Sequence, residues 1–173
     1  MLFRSILRSH IFNWLIWPDF SSIPDRGNPF LRFQEMRTGE TTQLLGGRNV
    51  TALPAQHTVP AVGYKVSCES GSLVFSGDTT YSEPLISAIN EINDLRYLLI
   101  ETAFPDALQG LALASRHLCP SLLALFLERL KVSPEVWITH LKPSRAQTTL
   151  DEILSYCGRF EPKALYNGLE FSL

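Results

Sequence analysis

The stretch Leu73-Val74-Phe75-Ser76-Gly77-Asp78-Thr79-Thr80 sets the reading of this chain. Leu73–Phe75 is apolar and reads as a buried strand. Ser76-Gly77 breaks it, and Asp78 then delivers a carboxylate followed by two hydroxyls. An Asp after a Gly is a common turn residue. It is also what the rim of a reaction site looks like, because α/β layers place their sites at the carboxyl ends of strands.

Working outward, the same arrangement recurs. Glu101 follows the apolar run Leu95–Ile100, and His140 follows Val136–Ile138. Each is a titratable group at the carboxyl end of an apolar strand. His57 stands in the Pro-bracketed loop Pro54-Ala55-Gln56-His57-Thr58-Val59-Pro60, just before a strand. Imidazole and carboxylate are usual ligands of zinc or manganese. A His57, Asp78 and His140 set offers nitrogen, oxygen and nitrogen donors, which suit a metal that polarises water. The plain readings are a hydrogen-bonded His at a strand end, a turn Asp, and a Glu101 that caps a helix or pairs with an Arg.

The flanking sequence supplies the elements. Residues 2–12 read as a helix with Leu2, Ile6, Leu7 and Ile11 near one face, and 18–29 as a loop. Residues 30–36 alternate weakly and read as a strand, with Phe30 and Leu31 or Phe33 inward. A hairpin turn is expected at Gly46-Gly47 before a strand at 48–55. Strands at 63–67 and 73–76 flank a turn at Glu69-Ser70-Gly71. Beyond Asp78 the pattern switches. Ser82 caps a helix bearing Leu85, Ile86, Ile89 and Ile92. Leu95–Ile100 is a strand, Pro120 opens an apolar helix, and 135–139 is a strand. Residues 144–157 form an amphipathic helix stopped by Gly158, and 163–173 are a strand or a hairpin through Asn167-Gly168. Antiparallel strands followed by alternating helix and strand imply an α+β fold, with mixed β-sheets flanked by helices.

Composition narrows the functional classes. The chain has 173 residues, 45% hydrophobic and 18% charged, with a net charge of −2. The length points to one domain, 1–173. The charge gives no broad electrostatic footprint for nucleic acid or an anionic membrane. The apolar N-terminal run is interrupted by Asn13 and ended by Trp17-Pro18-Asp19, well short of the ~20 residues of a membrane span. The three cysteines, Cys68, Cys119 and Cys157, are odd in number and form no Cys-x-x-Cys pair. They read as small buried hydrophobes in a reducing cytoplasm.

In order, His57-Thr-Val-Pro-Ala-Val-Gly-Tyr64, Ser76-Gly-Asp-Thr79 and Thr139-His-Leu-Lys-Pro143 resemble three successive metal motifs of the metallo-β-lactamase-fold hydrolases. The phrasing is most similar to the branch of class II 3′,5′-cyclic-nucleotide phosphodiesterases and ribonuclease Z. The resemblance implies an αββα sandwich and a site of two zinc or manganese ions. His57 and His140 would be ligands and Asp78 the carboxylate bridging them. It implies hydrolysis of a small-molecule phosphodiester, with cAMP the first expectation, by water activated between the ions. It gives Glu101 and His117 catalytic parts: His117 at a helix start contacts phosphate or donates a proton, and Glu101 orients His117 or a metal ligand. Lys142 would meet substrate phosphate. The Glu101-Thr-Ala-Phe-Pro105 and Ser115-Arg-His-Leu-Cys-Pro120 runs favour the phosphodiesterase branch, since Ile100 stands where ribonuclease Z has a motif His.

The family's His-x-His-x-Asp-His motif is absent from this sequence. The resemblance therefore covers the C-terminal two-thirds of such a domain, N-terminally incomplete, with Trp14 and Trp17 packed near the substrate entrance and His10 structural. A homodimer would be one way to complete the fold. Two rival expectations stand beside this one: a hydrolase of the same fold acting on RNA, a thioester or a lactone, and a degenerate, non-catalytic copy.

Overall fold

A computed structural model describes residues 2–156 and 158–173, so the Cys157 reading lies outside the described residues. The chain forms two compact units, 1–37 and 38–173.

The first unit opens with helix α1, Leu2–His10. Beyond it the backbone is held by short-range polar contacts. The Asn13 carboxamide oxygen accepts from the Leu15 and Ile16 N–H groups, and Asp19 pairs with Arg8 at 3.1 Å. Phe12 packs its ring against Phe20 and Phe33. The strand expected at 30–36 is not there: these residues pair with no strand among the described residues, and Phe30 is 73% exposed. Weak alternation is local, whereas a strand needs a partner for its ladder. Trp14 is 63% exposed, and His10 is exposed at the end of α1.

The second unit is built on one mixed sheet of seven strands in sequential order. The strands are β1 (Thr41–Gln43), β2 (Asn49–Pro54), β3 (Val62–Cys68), β4 (Gly71–Phe75), β5 (Leu95–Glu101), β6 (Glu135–Thr139) and β7 (Lys163–Ala164). The strands β1 to β4 pair antiparallel, and β4 to β7 pair parallel. The α+β class is as the sequence reads, with one sheet among the described residues where mixed β-sheets were expected.

The parallel half needs crossovers. Helix α2 (Glu83–Asn90) joins β4 to β5, α3 (Gln109–Ser115) and α4 (Pro120–Glu128) join β5 to β6, and α5 (Ala146–Tyr156) joins β6 to β7. Right-handed crossovers that always advance in one direction put their helices on one face. The burial pattern agrees. Val74, Leu98, Ile100, Val136 and Ile138 are buried together with Leu85, Ile89, Leu123, Phe126 and Ile153. The alternate positions Phe75, Tyr97, Leu99 and Trp137 are only partly covered. On that second face Phe171 packs its ring against Tyr97 and Trp137, at 5.0 and 5.5 Å between centroids.

Local chemistry starts and stops these elements. The Ser82 hydroxyl accepts from the Leu85 N–H at 3.4 Å, and a Pro follows in the first turn of α2. Gly158, at φ 48°, follows α5. Strand β7 has two residues, and the rest of 163–173 is irregular around a turn at Asn167-Gly168. Cys119 is buried, and Cys68 is partly buried.

Helix α4 lacks a side-chain cap at Cys119. Asp106 supplies one from a distance: its Oδ1 accepts from the Ser121 N–H at 3.0 Å and from the Ser121 hydroxyl at 2.9 Å. Its own N–H donates to Glu152 of α5 at 2.8 Å. Burial acts to raise the Asp106 carboxyl, but hydrogen bonds from Ser121, Cys119 and Tyr156 outweigh it and hold it below its ordinary value. A depressed carboxyl stabilises the fold above the unfolded-state pKa, and that contribution is lost as pH falls through the folded value. Asp106→Ala should cost about 1–2 kcal/mol near neutral pH. The gap between variant and parent in urea midpoint should close below about pH 4, where carboxylates protonate.

Candidate metal centre

Strands β4, β5 and β6 run parallel, so their carboxyl ends share one edge of the sheet. That is why residues far apart in sequence meet. Asp78 leaves β4 through Gly77, at φ 63°, where a Cβ would stand 2.6 Å from the Val62 carbonyl oxygen. Only glycine meets both demands. Glu101 ends β5, and His140 follows β6 with φ 65°. A left-handed non-glycine residue is costly unless its surroundings enforce it, and such residues gather at functional sites.

Asp78 lies between two imidazoles. Its Oδ1 is 3.3 Å from His140 Nδ1 and its Oδ2 is 4.0 Å from His57 Nε2. His57 Nδ1 lies 3.2 Å from the Arg116 carbonyl oxygen. A carbonyl only accepts, so Nδ1 carries the proton and Nε2 turns a lone pair toward Asp78. The Arg116 guanidinium donates back to the His57 carbonyl at 2.9 Å. Arg116 is itself left-handed, at φ 55°, closing α3. No sequence motif marks Arg116 as part of this site.

His117 stands beside this pair, its ring 4.8 Å from that of His57 and stacked at 5.0 Å on that of His140. Its Nδ1 is 2.6 Å from Glu101 Oε1. That contact leaves Nε2 free, an arrangement that fixes ring orientation in carboxylate–histidine–metal sites. The expected place of His117 at a helix start needs correcting. Helix α4 begins at Pro120, and His117 sits in the turn after α3, its N–H donating to the Ala112 carbonyl. The turn ties it to α3 rather than to the N-terminus of α4.

Glu101 is buried at the centre. Its carboxylate accepts from the Thr79 and Leu118 N–H groups at 3.0 and 3.3 Å. Its own N–H donates to the Ser76 hydroxyl. Burial, opposed by these N–H bonds, pushes the Glu101 carboxyl up to about 8. Burial, with His140 next, lowers the His117 imidazole. Lys142 Nζ is 3.0 Å from His140 Nε2 and 5.7 Å from the centre of the Phe104 ring. An ammonium only donates, so in this contact His140 Nε2 accepts and Nδ1–H faces Asp78.

The donor chemistry fits a divalent ion. Ligand atoms of His57, Asp78 and His117 lie within 4.8 Å of one another. Ligands about 2.1 Å from a tetrahedral zinc stand ~3.4 Å apart, so a small rotation of side chains closes the set. The structure thus brings all six sequence-chosen residues, His57, Asp78, Glu101, His117, His140 and Lys142, to one edge of the sheet.

This architecture is the metallo-β-lactamase fold. Among the solved structures it resembles are unliganded yeast PDE1, at 20% identity and TM-score 0.75, over 95% of this chain and 56% of that one. Another is the metallo-β-lactamase fold protein YhfI from Bacillus subtilis, at 14% and 0.61, over 78% and 53%. A third is Zn²⁺-bound PqqB from Methylobacterium extorquens, at 16% and 0.53, over 81% and 52%. The chain thus spans about half the length of these structures. No protein-family model matches the sequence, and no curated protein matches it. No single helix among the described residues is long and apolar enough to cross a membrane.

Proposed function

We propose that this chain carries a metal-dependent phosphodiester hydrolase site, with a 3′,5′-cyclic nucleotide such as cAMP as the substrate. The observation that carries the reading is Asp78 between His57 and His140, one carboxylate oxygen toward each ring. His57, Asp78 and His140 would hold zinc or manganese, His140 through the Nε2 that Lys142 would have to release. His117 lies within the same cluster of ligand atoms and would keep its Nε2 off the metal, for the substrate. The bound metal would supply Lewis acidity, polarising water and neutralising charge on the phosphate.

The chain's own residues do the rest. Arg116 fixes the His57 tautomer, and Glu101 holds His117 so that Nε2 points away from the sheet interior. When water adds to phosphorus and the 3′ P–O bond breaks, the added water gives a proton up to solvent and the leaving oxygen takes one, which His117 Nε2 would supply. Lys142 adds a positive charge for the phosphate oxygens. The backbone likeness to yeast PDE1 and the three motifs support this reading together.

A second reading, a metal-free chain that keeps the fold, draws on the Lys142 contact that occupies His140 Nε2. Metal analysis of the purified chain after loading, with hydrolysis of cAMP and bis-p-nitrophenyl phosphate, separates the two. Near-stoichiometric zinc or manganese with turnover supports the hydrolase. No retained metal and no turnover leaves the second reading.

A further inference from the structure

Beside the metal-ligand cluster lies a cleft of about 400 Å³. His140 lines it, together with Leu141, Leu165, Tyr166, Asn167 and Leu169. The segment Leu165–Leu169 has a defined geometry. The Leu165 N–H donates to the Ile138 carbonyl at 3.0 Å, which pins the segment to β6 two residues before His140. The Leu169 N–H closes a turn on the Tyr166 carbonyl at 3.3 Å, with Gly168 at φ 87° in the third position. Glycine there is what a type II turn requires. The turn presents Tyr166, 64% exposed, and Asn167 on a short tether next to the metal ligand.

We propose that Tyr166 and Asn167 form the base-recognition wall of this site, selecting a nucleotide over a base-free phosphodiester. The inference rests on the phosphodiesterase reading above. The chemistry fits a heteroaromatic ring: an aromatic face to stack on, leucine side chains at Leu141, Leu165 and Leu169 to exclude water, and one carboxamide able both to donate and to accept. The volume also fits, since small-ligand clefts start near 300 Å³. His140 faces Asp78 at 3.3 Å and also lines the cleft, so a base seated against Tyr166 would leave its ribose phosphate beside Asp78. A base stacked on an exposed aromatic strengthens binding by roughly 5- to 150-fold.

The test is ligand-observed NMR with the purified chain in EDTA, using adenosine 5′-monophosphate and, as the base-free probe, ribose 5-phosphate. Saturation transfer to the adenine H2 and H8 protons is expected, with ribose 5-phosphate binding more weakly. Tyr166→Ala should weaken the adenosine monophosphate at least about fivefold, and Tyr166→Phe should retain it. Equal binding to Tyr166→Ala and parent, equal binding of the two probes, or no binding of either would overturn the inference. Because no metal or turnover enters the readout, its failure is distinct from failure of the hydrolase reading, which the base-free diester assay decides.

Discussion

Asp78→Ala should leave the purified chain unable to retain zinc or manganese and reduce any phosphodiester hydrolysis at least about a hundredfold. Losing even an outer partner of a metal ligand costs ~10–100-fold in affinity or activity, and in the proposed reading Asp78 would itself be a ligand. The substitution removes the group between His57 and His140, leaving two imidazoles with no carboxylate to hold an ion between them. The metal-free fold should not suffer, because the Asp78 side chain is 41% exposed. Surface substitutions of this kind usually stay within ~0.5 kcal/mol. Elemental analysis and a urea titration of the same sample check both halves. Stoichiometric metal retained by Asp78→Ala would remove Asp78 from the site.

Phe126→Ala should be the most damaging single change to the fold. Phe126 is fully buried in α4 at the centre of the helical layer, and the Tyr81 ring meets its edge at 6.5 Å between centroids. Truncating a buried Phe costs ~3–5 kcal/mol, part transfer and part cavity. Domains of this size have only ~5–15 kcal/mol of stability in all. The variant should therefore unfold at much lower urea than the parent, or fail to accumulate folded. A loss below about 1 kcal/mol would mean that Phe126 is not part of the buried cluster it shares with Leu98 and Ile138.

These two residues show how differently site and core are exposed to sequence reading. Asp78, Glu101 and His140 were legible because each interrupts an apolar strand at its carboxyl end, and strands announce themselves by composition. His57 was legible from its motif. The helices α2, α4 and α5 followed from Ser82, Pro120, Gly158 and their apolar spacing. The short helix α3 was not foreseen, and with it went the correct place of His117. Residues 30–36 alternate without forming a strand because alternation states which face could be buried, while pairing depends on a partner elsewhere in the chain. The terminal strand shrank to Lys163–Ala164 for the same reason.

The amino-acid sequence by itself determined the α+β class, most element positions and the residue types that carry the chemistry, because periodicity, caps and breakers act within a few residues. The tertiary structure alone decided that the parallel run of β4, β5 and β6 brings Asp78, Glu101 and His140 to one edge. It alone decided that Arg116 sets the tautomer of His57, and that Glu101 grips His117 at 2.6 Å. These are contacts between residues 16 to 59 positions apart. Strand register and chain crossovers create them, and neither is written in local composition.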